Sequence, residues 1–164
     1  MRLGYWVICC LGAAAAAFAG CSYNRDHANL SLIGPQKGFF LSEEGGAAKL
    51  AYGVADSDDV GLMLECATGS GIVQVSDQIR ANPAPQLILA SSGGRSELKA
   101  EVEPGEFASF VTASAPMATP ALVGFRTSGK IEIGYAGQKY HLTARPAERA
   151  VVDRFFAACE GRQA

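Results

Sequence analysis

Cysteine is the residue type with the clearest chemistry to offer in this chain. Of five, Cys9 and Cys10 lie inside an apolar N-terminal run, Cys21 ends it, and Cys66 and Cys159 stand in the body. Cys66 closes the stretch Val60-Gly61-Leu62-Met63-Leu64-Glu65-Cys66. As a strand, that stretch puts Val60, Leu62, Leu64 and Cys66 on one face, because side chains alternate with a period of two. Cys159 ends the series Val152, Phe155, Phe156, Cys159, whose three- and four-residue steps make one apolar stripe on a helix. In an oxidising compartment such an even pair is expected to form a disulfide, whereas in the cytosol it would be two buried thiols. A redox role fits less well, since catalytic dithiols usually sit as Cys-x-x-Cys at an exposed helix start. The compartment decides the chemistry.

Other chemistries are weakly signalled. A hydrolytic triad needs a histidine beside a nucleophile, and the two histidines are His27, in a polar tether, and His141, on the polar side of a strand. No Gly-x-Ser-x-Gly elbow or His-Glu-x-x-His motif occurs, and two separated histidines do not suggest zinc. Thr68-Gly69-Ser70-Gly71 has the look of a phosphate-cradling loop, but such a loop must open a helix. Here Ile72 to Asp77 alternates like a strand, so a hairpin turn is the expectation. Asp56, Asp58 and Asp59 offer oxygens, yet Ala67 stands where a twelve-residue calcium loop needs its glutamate. Glu97, Glu101 and Glu103 share a strand face and offer the paired carboxylates of a glycosidase, though alternating charges usually mark a strand's wet side. No catalytic residue, metal ligand or cofactor is assigned.

The N-terminus bears on the compartment. Arg2 gives a short positive region and Trp6 to Ala17 an apolar run of signal-peptide length. The run is short and alanine-rich beside the roughly twenty strongly apolar residues of a membrane span. It ends in Phe18-Ala19-Gly20-Cys21, which resembles the lipobox of bacterial lipoproteins; Ala19, Gly20 and Cys21 fit position by position, and Phe18 departs from the usual leucine. The resemblance implies acylation of Cys21, by chains such as palmitate, and removal of residues 1–20. Several acyl chains hold a protein stably where one does not. Ser22 after the cysteine resembles the outer-membrane-directed rather than the inner-membrane-retained class. The alternative is a plain signal peptide cut after Ala17-Phe18-Ala19, which would leave Cys21 as an odd thiol.

The chain has 164 residues, 49% of them hydrophobic and 18% charged, which suits one domain with a sizeable core plus a targeting segment. Removing residues 1–20 takes away only Arg2, so the formal charge goes from −2 to −3. That balance is unlike the basic footprint of a nucleic-acid binder, and no nucleic-acid partner is expected.

The elements that position these residues follow from periodicity. Residues 21–29 read as a lipidated N-terminus and tether, and 30–164 as a single β-rich domain. Strands are expected at Lys37–Leu41, Lys49–Val54, Val60–Cys66, Ile72–Asp77, Gln86–Ala90, Glu97–Glu103, Lys130–Tyr135 and Lys139–Ala144. Gln86–Ala90 is apolar on both faces and reads as a central strand covered on each side. Glu106–Ser114 is ambiguous: Phe107, Phe110 and Val111 suit a helix, the β-branched and small residues a strand. Thr119-Pro120 opens a short helix near 120–128, with threonine able to cap it and Gly129 ending it. A second helix is expected near 146–159. About eight strands and a docked C-terminal helix suggest a mainly β fold, an antiparallel sandwich or partly open barrel.

The lipobox, the segment Tyr52-Gly53-Val54 to Cys66 and the ending Phe155-Phe156-Ala157-Ala158-Cys159 together resemble small, uncharacterised envelope lipoproteins of alphaproteobacteria. That resemblance implies an exported protein, lipid-anchored in the periplasm, with the outer membrane favoured over the inner. It carries no activity motif. The expected function is a non-catalytic binding or assembly module whose partners are the membrane, through its anchor, and an envelope protein or polymer. The alternative is a hydrolase acting on cell-wall or surface polymers.

Overall fold

Strand alternation accounts for most of the architecture in the computed structural model, which describes residues 36–79 and 85–162. The expected signal peptide, the tether with Cys21 and His27, and the start of the expected 30–164 domain lie outside the described residues. Among the described residues nine strands form: β1 (Lys37–Glu44), β2 (Ala47–Val54), β3 (Val60–Ala67), β4 (Ile72–Ile79), β5 (Gln86–Ser91), β6 (Gly94–Glu103), β7 (Ser109–Pro116), β8 (Lys130–Tyr135) and β9 (Gln138–Thr143). Helix α1 (Pro120–Ser128) lies between β7 and β8, and α2 (Arg149–Cys159) follows a 3-10 turn at Pro146–Glu148.

All pairings are antiparallel, in the order β1-β2-β3-β4-β7-β6-β5-β8-β9. β6 joins two halves: Gly94–Lys99 pair with β5, and Ala100–Glu103 pair with β7. The result is an open, curled antiparallel sheet close to a barrel, with β1 and β9 as its edges. Segment 106–114 resolves mainly as strand β7, because Val111, Ala113 and Ala115 alternate inward against Thr112 and Ser114. The three-residue step from Phe107 to Phe110 mimicked a helix, but both rings are exposed and neither belongs to the core. β5 is central, yet only its inner face, Leu87 and Leu89, is fully buried; Ile88 and Ala90 are half-covered.

The two helices sit on the inner face, α1 against β5, β6 and β8, and α2 against β1 and β2. Phe125 of α1 is fully buried between Phe39 of β1, at 5.5 Å between ring centroids, and Phe156 of α2, at 6.1 Å. Phe156 in turn meets Phe155 edge-on at 5.3 Å. These tilted contacts suit the ring quadrupoles and tie both helices to the sheet.

The helix ends are satisfied by neighbours in the fold. Thr119 makes no side-chain cap; Ser96 Oγ of β6 accepts from the Ala121 amide instead, at 3.4 Å, while the Thr119 carbonyl accepts from Leu122 and Val123. At the other end, Arg149 Nη2 of α2 donates to the carbonyls of Arg126 and Thr127 at 3.0 and 2.7 Å, so a cation covers the negative end of α1. Backbone contact docks α1 on the β5–β6 turn: a Cβ on Gly124 would overlap Gly93, and one on Gly93 would overlap Pro120 and Gly124. Only glycine permits that approach.

Candidate functional site

Cys66 and Cys159 are joined by a disulfide, with their Cα atoms 5.7 Å apart and both residues buried. The bond ties the end of β3 to the last residue of α2. The loop after Cys66 serves the same helix end, since Gly69 N–H donates to Ala158 O and Gly71 N–H to Cys159 O, each at 3.0 Å. A helix leaves its last carbonyls without partners, and the Thr68–Gly71 loop fills that need. Its glycine-rich character has a structural use.

A second cluster lies in the interior. The inward row of β4 is Val73, Val75, Asp77 and Ile79, so a carboxylate occupies a core position at 4% exposure. Asp77 Oδ2 accepts from Tyr140 Oη of β9 at 2.7 Å, and Oδ1 from the Gln78 amide at 2.8 Å. Burial pushes the Asp77 pKa up from 3.8 to about 6, against the opposing pull of these two hydrogen bonds. Burial and the nearby Asp77 charge raise Tyr140 as well, and Tyr135, whose ring lies edge-on to Tyr140 at 6.5 Å, is raised for the same reasons. At 4% exposure, Asp77 commits both oxygens to Tyr140 and the Gln78 amide. The cluster bridges β4 and β9 across the curl of the sheet.

Among the described residues, those singled out for chemistry do not converge. His141 Nε2 lies 3.3 Å from Glu132 Oε2 on an exposed outer face, and Lys139 shares that carboxylate. Ser91 and Ser92 line the same shallow hollow, but Ser91 Oγ accepts from Gly93 N–H and Ser92 Oγ donates to Gly124 O. Asp59 pairs with Lys37 at 2.8 Å, while the Asp58 carbonyl accepts from the Val60 amide. Among the described residues, no group of three or more His, Cys, Asp or Glu side chains is placed to hold a metal ion. Nor is any helix among them long and apolar enough to cross a membrane. Glu97 is held by Arg95 and Gln86, leaving Glu101 and Glu103 exposed on the outer face of β6.

That outer face also exposes aromatic surface. Phe107, in the loop before β7, is 86% exposed, and Phe110, at the start of β7, is 47% exposed. Phe110 faces Gln78 of β4 on one side and Glu103 of β6 on the other. Hollows of about 280 Å³ and about 590 Å³ lie on either side of it. One is lined by Asp58, Met63 and Ser76, the other by Gly105, Glu106 and Phe107, and both touch Gln78 and Phe110. Chemically this face can bury a few apolar side chains and attract cations. The sequence flagged its carboxylates but assigned Phe107 and Phe110 to an ambiguous element. The chain matches no family model, and no curated protein or solved structure is similar enough to count as a match.

Proposed function

We propose that the protein is a non-catalytic binding module of the bacterial cell envelope, a lipoprotein anchored through Cys21 and working by contact with an envelope protein or polymer. The exposed aromatic pair Phe107 and Phe110, on a sheet face that also carries carboxylates, is the observation that carries the binding part. Contiguous apolar surface left open on a folded domain commonly marks an interaction site. The Cys66–Cys159 bond supports the compartment, because such a bond persists outside the reducing cytosol. The lipobox-like Ala19-Gly20-Cys21 supports the anchor. With the glycine loop engaged as a helix cap and Asp77 sealed by Tyr140, the residues most suggestive of chemistry have structural partners.

The test is turnover. The native lipoprotein, extracted from membranes, is incubated with peptidoglycan, surface glycans and ester substrates. No product is expected. Release of product that is abolished by Glu101→Gln or Glu103→Gln, with folding intact, would establish the hydrolase alternative instead.

A further inference from the structure

Resting on the reading of the protein as a binding module, we infer that the outer face of β3, β4, β7 and β6 docks a cationic, aliphatic-rich segment of another envelope protein. Its apolar side chains would lie against Phe107, Phe110 and Met63, and its Lys or Arg side chains over Asp58, Glu101, Glu103 and Glu106.

The face is built by register. Gln78, Phe110 and Glu103 form one cross-strand row, and Met63, Ser76, Thr112 and Glu101 the next. Both rows point away from the core, because each residue alternates with buried Leu62, Leu64, Val75, Asp77, Val111 or Ala100. Ser76 and Thr112 hydrogen-bond each other at 3.2 Å, which leaves the middle of the face flat and satisfied. The two hollows meet at Gln78 and Phe110, so the depression is elongated across the strands. That shape suits a length of polypeptide better than a small molecule.

Charge names the occupant. Elsewhere on the chain, Glu43, Asp59, Glu65, Glu97, Glu132, Glu148 and Glu160 each have a cation within ion-pair distance. Among the described residues, Asp58, Glu101, Glu103 and Glu106 form no such pair and border this face; Glu44, Asp56, Asp77 and Asp153 also form none. A negative rim around exposed aromatics favours Lys or Arg beside apolar groups, through ion pairing and cation–π contact. The same rim repels an anionic lipid surface. β3, β4 and β7 are interior strands of the sheet, so the segment is held by side chains rather than added as a further strand.

The experiment uses the full lipoprotein in zwitterionic lipid nanodiscs and a short fluorescent peptide of alternating lysine and leucine, read by anisotropy. Saturable one-to-one binding is expected, weakened by salt, with none for the glutamate–leucine counterpart. The double variant Phe107→Ser/Phe110→Ser should lower affinity tenfold or more, and Glu103→Gln/Glu106→Gln severalfold with a shallower salt dependence. Val123→Ser, on the distant exposed side of α1, should change nothing. Thermal unfolding of each variant shows that the fold is kept. Unchanged affinity in both double variants overturns the inference. So does flotation of the unanchored Cys21→Ala protein with phosphatidylglycerol vesicles, or self-association lost on Phe107→Ser/Phe110→Ser, since a membrane or a second copy is then the occupant. Failure here with no turnover, and with an envelope partner still crosslinked elsewhere on the domain, leaves the binding-module reading standing. Turnover fells that reading whatever the peptide does.

Discussion

Tyr140 Oη donates to Asp77 Oδ2 at 2.7 Å, although four strands separate β9 from β4 in the sheet order. A flat sheet would hold those strands far apart, given roughly 4.8 Å per strand step. The bond therefore reports how far the sheet has curled. It also explains why a carboxylate is tolerated on the dry row of β4, since its oxygens have the Tyr140 hydroxyl and the Gln78 amide as donors.

Stability should fall as pH rises from about 4 to about 6. Burial raises Asp77 from 3.8 to about 6 in the folded state, so across that window the folded chain holds a proton that the unfolded chain releases. The shift corresponds to at most about 3 kcal/mol at neutral pH. Asp77→Asn keeps an acceptor for Tyr140 without the charge. Urea unfolding near neutral pH should find it more stable than the wild type, with the slope across the window gone. A less stable variant with the slope intact would contradict the assignment.

Glu148 contributes with the opposite sign. Burial works to raise it, but its hydrogen bonds from Arg145 outweigh that and hold its pKa below the usual value of 4.5. Its contribution is present above about pH 4.5 and lost as pH falls through the lowered folded value. Glu148→Gln should reduce acid sensitivity at the lowest pH while leaving the Asp77 slope untouched, measured by the same unfolding curves.

Tyr140→Phe removes the donor and leaves a buried carboxylate oxygen unsatisfied. A cost of about 1–3 kcal/mol is expected. Because the Tyr140 hydrogen bond lowers the Asp77 pKa, the variant should titrate higher still, visible as an upward shift of the Asp77 carboxyl signal midpoint in NMR.

Gly124→Ala tests the docking of α1. Its Cβ would overlap the Gly93 backbone, which belongs to a paired turn and cannot swing aside as a side chain would. Destabilisation of about 1–3 kcal/mol is expected from thermal unfolding. Val123→Ala, one residue away and exposed, should be close to neutral.

Much of the fold was legible because it rests on alternation. The wet row Glu97, Lys99, Glu101 and Glu103 and the dry row Leu62, Leu64 and Cys66 mark β6 and β3 without any long-range information. Gly129 likewise marks the end of α1, where the backbone turns to φ 70°. Long-range partners were not legible. Nothing local says that Ser96, twenty-five residues before Ala121, takes over from Thr119 as the acceptor for that amide. Asp77 did leave a trace, since it falls on the Val73, Val75, Ile79 parity, but its partner in β9 is fixed only by the curl of the whole sheet. For the outer face, the carboxylates were visible and the aromatics misleading, because a three-residue step from Phe107 to Phe110 across a loop looks like one face of a helix.

An anchored N-terminus and a stapled C-terminus can be read together in one measurement, the intact mass of the protein extracted from membranes without reductant. The mass expected is that of residues 21–164 plus a glyceryl group and acyl chains on Cys21, less the two thiol hydrogens lost in the Cys66–Cys159 bond. The unmodified mass of residues 1–164, or of a chain beginning at Gly20 with no lipid, would contradict the envelope-lipoprotein account.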